Sequence, residues 1–196
     1  MINSIKTNNF NQTMPIAGVL PSDSNIEFVG IRSTKEVLWL QHGCNHYFKD
    51  LPQTHFKLLK SAYLKDTKAV LFLSSITDSI ERQVELYTYY MYGEVDGTAD
   101  IMDGKLSDSE NFRDNQNCPS LLWNSKNINI GKHVLTDRQV FIIDCIAQDL
   151  PDKAIADLMG ITPSTLDSHK SKLYKSVGVQ TKAALIVTAF NHRIIN

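Results

Sequence analysis

The residues most able to do chemistry lie between Thr162 and Lys182, where Lys170, Lys172, Lys175 and Lys182 face a single acid, Asp167. Leu166, His169, Leu173 and Val177 recur at intervals of three and four, which predicts one helix with a narrow inward stripe. Ser164, Thr165, Asp167, Ser168, Lys170, Ser171, Lys172 and Lys175 then project outward. Lysines displace counterions from a polyphosphate and give affinity without sequence information, whereas short hydroxyl and carboxylate groups suit base edges. A second constellation, His42, Cys44, His46 and Cys118, has the donor types of a zinc site. On a helix over 34–49, however, His42 and His46 would share a face that Cys44 leaves, so structural or surface roles are favoured. No Ser-His-Asp, Cys-His or paired-carboxylate arrangement is evident, and a Gly-Lys-Ser/Thr phosphate loop is absent. These residues do not describe an enzyme.

The elements that would position the lysines are marked by their ends. Thr136 with Gln139 forms a capping box ahead of Phe141, Ile142, Cys145 and Ile146. Asp149-Leu150-Pro151-Asp152 breaks that helix, and Ile155, Ala156, Leu158 and Met159 mark a second. Gly160 permits a tight turn, and Thr162-Pro163 opens the third helix with a cap and a first-turn proline. Gly178 stops it, and Thr181 caps a fourth through Leu185, Ile186, Val187 and Phe190.

The segment resembles the LuxR-type (GerE-type) helix-turn-helix over roughly 60 residues. The matching pieces are Leu135-Thr136-x-Arg138, Lys153-x-Ile155-Ala156, Ile161-Thr162-x-x-Thr165-Leu166-x-x-His169 and Val177-Gly178-Val179. The resemblance implies that Asp167, Ser168 and Ser171 face bases. It implies that Lys153, Ser164, Thr165, Lys170, Lys172, Lys175 and Lys182 hold the DNA backbone, and that Ile186, Val187 and Phe190 pair two subunits. Gln139 and Ala154 replace common glutamates, and Asp149 stands where glycine is usual, which predicts a differently shaped first turn.

Residues 1–130 are expected to form a mostly helical regulatory or dimerisation domain, with 131–196 as the DNA-binding domain; the fold class is mainly α. A capping box at Ser33–Glu36 predicts a helix bearing Val37, Leu40, Cys44, Tyr47 and Phe48. A short helix follows through Phe56, Leu59 and Tyr63, then a longer one from Asp66 to Gly93. Gly93 to Asn117 reads as a long loop whose acids are solvated. Tyr87, Tyr89, Tyr90, Tyr92, Phe112 and Trp123 are read as core and rim rather than a ligand pocket. Neither a strand ending in paired acids nor a strand–helix alternation is present, which excludes a phosphorylated receiver, and the length is short for an acyl-homoserine-lactone pocket.

The net charge of −1 does not itself suggest nucleic acid. The asymmetry between the halves is slight: 13 basic and 15 acidic residues up to Val134, then 7 and 6. Met1–Met14 lacks the apolar stretch of a signal peptide, no run is long enough to span a bilayer, and three cysteines suit reduced thiols, so a cytoplasmic location is expected. No cofactor is expected. The reading is a homodimeric regulator of transcription that reads duplex DNA with helix 163–177. The alternatives are a sigma-like factor acting with RNA polymerase, or a protein-interaction or sensor module that no longer binds DNA.

Overall fold

The computed structural model describes residues 16–195; the signal-peptide reading of Met1–Met14 falls outside them. Chain order gives strands β1 (Glu27–Ile31), β2 (Glu36–Gln41) and β3 (Cys44–Tyr47), then helices α1 (Gln53–Lys65), α2 (Thr67–Ser74) and α3 (Ile80–Tyr92). Two short hairpins follow, β4 (Ile101–Met102) with β5 (Lys105–Leu106), and β6 (Asn129–Ile130) with β7 (His133–Val134). Helices α4 (Asp137–Ala147), α5 (Asp152–Leu158), α6 (Pro163–Val177) and α7 (Lys182–Asn191) complete the chain. The mainly helical class is as the sequence implies.

The helix expected after Ser33 is instead an antiparallel three-stranded meander in the order β1-β2-β3. The inward residues are Val37 and Trp39, a period of two rather than 3.6. His42 (φ 52) and Gly43 (φ 76) are both left-handed, the requirement of the tight hairpin joining β2 to β3. Thr34 and Glu36 do bond each other, but within the turn between β1 and β2. The sheet lies close on α3 because Gly30 has no side chain: a Cβ there would sit 2.8 Å from the Tyr89 ring, and Gly30 N–H donates to Gly93 O at 2.9 Å.

The single helix expected from Asp66 to Gly93 is two. Ser74 and Ser75 turn their hydroxyls back onto Leu71 O and Phe72 O, and Ser79 caps a fresh start by accepting from Arg82 N–H. Such side-chain bonds compete with helix continuation. Helix α3 is buried from Leu86 to Tyr92, and its tyrosines belong to the core with Phe112 and Trp123. Trp123 stacks on Tyr87 at 5.7 Å between centroids and meets Tyr90 edge-on at 5.3 Å.

Asp66 is the N-cap of α2 and is 1% exposed. Its carboxylate accepts from Ala69 N–H at 3.0 Å, Asn124 N–H at 3.1 Å and Ser125 N–H at 2.8 Å, and from the Ser125 hydroxyl. Burial pushes this carboxyl up, but the hydrogen bonds outweigh burial and hold it below the usual aspartate range.

A second core runs from Ile128 and Ile130 through the four C-terminal helices to Ile194. The stretch read as a long solvated loop is the seam between the cores. Asp100 and Glu110 are buried, and Arg113 forms a two-pronged ion pair with Asp144 of α4 at 2.8 and 2.7 Å. Both side chains are under a tenth exposed, and Arg113 also donates to Ile194 O. Asn111 Nδ2 donates to Asn129 O at 2.8 Å and to His192 O at 2.7 Å, and its Oδ1 accepts from Asn129 N–H at 2.6 Å.

Removing one partner of a buried pair leaves the other unpaired at a cost of about 3–5 kcal/mol. Arg113→Ala should therefore lower unfolding free energy by roughly that amount in urea titration. The double variant Arg113→Met/Asp144→Leu should recover most of it; no recovery would show that the pair is not the source. For Asp66, whose carboxyl is depressed on folding, the stabilisation is present above the unfolded value of about 3.9 and fades as pH falls through the folded one. The deficit of Asp66→Asn relative to the parent, measured as Tm, should accordingly shrink between pH 6 and pH 2.

Candidate nucleic-acid interface

Each C-terminal helix begins and ends as its local chemistry dictates. Thr136 and Gln139 form the reciprocal capping box of α4. Thr162 accepts from Thr165 N–H, with Pro163 in the first turn of α6, and Thr181 accepts from Ala184 N–H to start α7. Gly178 ends α6 in the left-handed conformation (φ 74), and Val179 N–H reaches back to Tyr174 O at 2.9 Å. Asp149 also adopts a left-handed backbone (φ 56), which aspartate tolerates better than most residues.

Leu166 and Leu173 are buried under α6, with Tyr174 and Val177 half-buried in the same core. Tyr174 completes the inward face and was not picked out by the three-and-four spacing. His169 is only half-buried, and its Nε2 lies 3.4 Å from Arg138 Nη1 of α4. The outward face carries Ser164, Thr165, Asp167, Ser168, Ser171, Lys172 and Lys175, all exposed. Ser168 bonds Ser164 O within the helix at 3.1 Å. None of these side chains takes part in the Arg113 and Asn111 contacts that join the two halves.

The lysines are not equivalent. Lys170 is bonded to Asp152 of α5 at 2.7 Å, its side chain 15% exposed. Burial lowers its proton affinity, but the Asp152 bond and charge outweigh this and raise it above the ordinary lysine value. Lys182 reaches Asp149 at 3.0 Å. Those partners are 18 and 33 residues away in the chain, so no local spacing foretells them. Lys153 is exposed in the first turn of α5. Of the three α7 residues expected to pair subunits, Ile186 packs partly into the core, whereas Val187 and Phe190 stand 59% and 61% exposed, one turn apart.

The zinc-type donors are dispersed by burial. Cys44 is exposed on β3, Cys118 is buried beside Ser120, and His46 stacks on Trp39 at 4.2 Å. Among the described residues no helix is long and apolar enough to cross a membrane.

This arrangement defines a helix-turn-helix domain, and comparison with known proteins places it. Residues 133–189 match the family of bacterial regulatory proteins of the luxR (GerE) type, so the C-terminal segment is a LuxR-family helix-turn-helix domain. The chain is also similar to the transcriptional regulatory protein MctR of Rhizobium johnstonii, with 36% identity over 66 residues. That match covers 34% of this chain and 31% of MctR, so the chain spans about a third of that relative's length. No solved structure matches the chain.

Proposed function

We propose that this protein regulates transcription in the cytoplasm by binding double-stranded DNA as a homodimer. The observation that carries the proposal is the open polar face of α6 within a LuxR-family domain. At about 1.5 Å per residue α6 is roughly 22 Å long, enough to lie in a major groove about 12 Å wide. Asp167, Ser168 and Ser171 are the base-reading residues. A carboxylate at Asp167 is repelled by phosphates but accepts from a cytosine amino group. Lys172 and Lys175 make the leading phosphate contacts, with Lys153, Ser164 and Thr165 beside them. Lys170 and Lys182 join by exchanging Asp152 and Asp149 for phosphate. Val187 and Phe190, with Ile186 beneath, pair the two subunits, so that a near-palindromic operator has half-sites about one helical turn apart.

Selection from a random DNA pool with the full chain tests this directly. A two-fold symmetric consensus is expected, and failure to enrich any sequence at low salt would remove the proposal. Lys172→Ala should lower the slope of log affinity against log salt by about 1, as expected for one lost phosphate contact. Lys170→Ala should lower it less, because Asp152 already offsets that charge. Ser171→Ala should change preference at one base position while leaving the salt slope unaltered. Val187→Asp together with Phe190→Asp should leave binding to a single half-site, read as a smaller shift in gel retardation.

A further inference from the structure

We propose that Glu27, Asp96 and Glu110 form a binding site for a hard divalent cation at the seam between the two halves. One carboxylate oxygen from each can be chosen so that all three lie within 4.8 Å of one another. Oxygens about 2.3–2.6 Å from a calcium ion span at most roughly 5 Å across it, so the set fits one ion.

The orphaned oxygens point to a ligand rather than to an accidental gathering of acids. Glu27 is fully buried and Glu110 is 8% exposed. One oxygen of each is held by the backbone: Glu27 Oε1 accepts from Asp96 N–H at 3.0 Å, and Glu110 Oε2 from Glu94 N–H at 2.8 Å. The other oxygen of each, Glu27 Oε2 and Glu110 Oε1, is buried with no hydrogen-bond partner. A buried carboxylate with an unmet lone pair is costly unless a proton or a cation supplies the missing charge. Burial first, and then the neighbouring carboxylates, push Glu27 up to about 7 and Glu110 up to about 9. Asp96 is exposed and gives the route in. A cavity of about 40 Å³ lies against Asp96 and Glu110, bounded by Glu94, His192 and Arg193. A water molecule occupies about 30 Å³ in the liquid, so that space suits one ion or one of its waters.

Lys126 and Arg193 act on Glu110 and Glu27 by charge, but neither bonds the two orphaned oxygens. Arg193 donates to Val95 O and lies 3.8 Å from Glu94, and Lys126 donates to Tyr90 O at 2.7 Å. Asp100, buried nearby, accepts from Phe28 N–H at 2.7 Å, and burial followed by the Glu110 charge pushes its carboxyl well above the usual range. An all-oxygen, carboxylate-rich set selects calcium, magnesium or manganese over zinc. The ion would stiffen the segments that hold the C-terminal half, since Val95 carries the Arg193 contact and Asn111, next to Glu110, carries the His192 contact.

The site is tested on the full chain without DNA, so that its failure is separate from that of the regulatory proposal. Calorimetric titration with calcium, magnesium and manganese chlorides should show one saturable site for at least one of them, and that ion should raise Tm. Glu110→Gln and Asp96→Asn should each weaken binding at least tenfold, while Asp103→Asn in the exposed β4–β5 turn should not. Glu110→Gln keeps the side-chain shape and an oxygen for Glu94 N–H, so its Tm in chelator should match that of the parent, showing that it folds. No saturable binding of any of the three ions at millimolar concentration would overturn the proposal. So would undiminished binding by Glu110→Gln and Asp96→Asn, or a Tm unmoved by every ion, the outcome expected if protons alone neutralise the carboxylates.

Discussion

The pairing of Arg113 with Asp144 is the contact on which the relation between the two halves depends. A guanidinium and a carboxylate removed from water each lose several kcal/mol of hydration, and only two-pronged geometry with further bonding makes the exchange tolerable. Here the third partner is Ile194 O, so one arginine ties α4 and the end of the chain to the same point. Specificity of docking is the gain: an apolar contact can slide, whereas this one has a single register. Asn111 adds a second fixed point on Asn129 and His192. The four C-terminal helices are consequently held through α4 and their last residues, which leaves the outward face of α6 uncovered.

Much of the C-terminal domain was legible because its signals are local. A cap, a proline or a glycine acts within one turn, so Thr136, Gln139, Pro163, Gly178 and Thr181 could be read without knowing what packs where. The outward set on α6 followed from the same periodicity except for Lys170, which is drawn against Asp152 of α5. The N-terminal strands failed that reading for a definite reason. Val37, Leu40 and Cys44 satisfy helical spacing by coincidence, while Val37 and Trp39 satisfy a period of two, and a short apolar run does not choose between them. The turn at His42-Gly43 carried the deciding information, but histidine is a less common turn former there than asparagine or aspartate. The box expected between Ser33 and Glu36 is replaced by bonds between Thr34 and Glu36 within the β1–β2 turn.

The seam was illegible for another reason. Residues 93–117 have the composition of a solvated loop, and composition says nothing about tertiary cover. Glu110 and Arg113 are buried by partners far away in sequence, as are Lys170 and Lys182 when they meet their aspartates. Polar residues buried through long-range pairing leave no periodic mark. The same blindness affects the acids at Glu27 and Asp96, which lie 69 residues apart and adjoin only because β1 runs beside the loop after α3.

The second core does not end where the helix-turn-helix match ends. Ile128 and Ile130 enter it from upstream of residue 133, and Ile194 from beyond residue 189. A graft that moved only the matched stretch onto another protein would leave three isoleucine-sized gaps and an aspartate without its arginine. Transfer of this domain is therefore constrained at the joint, and a working chimera must carry the flanking apolar residues and the arginine strap together.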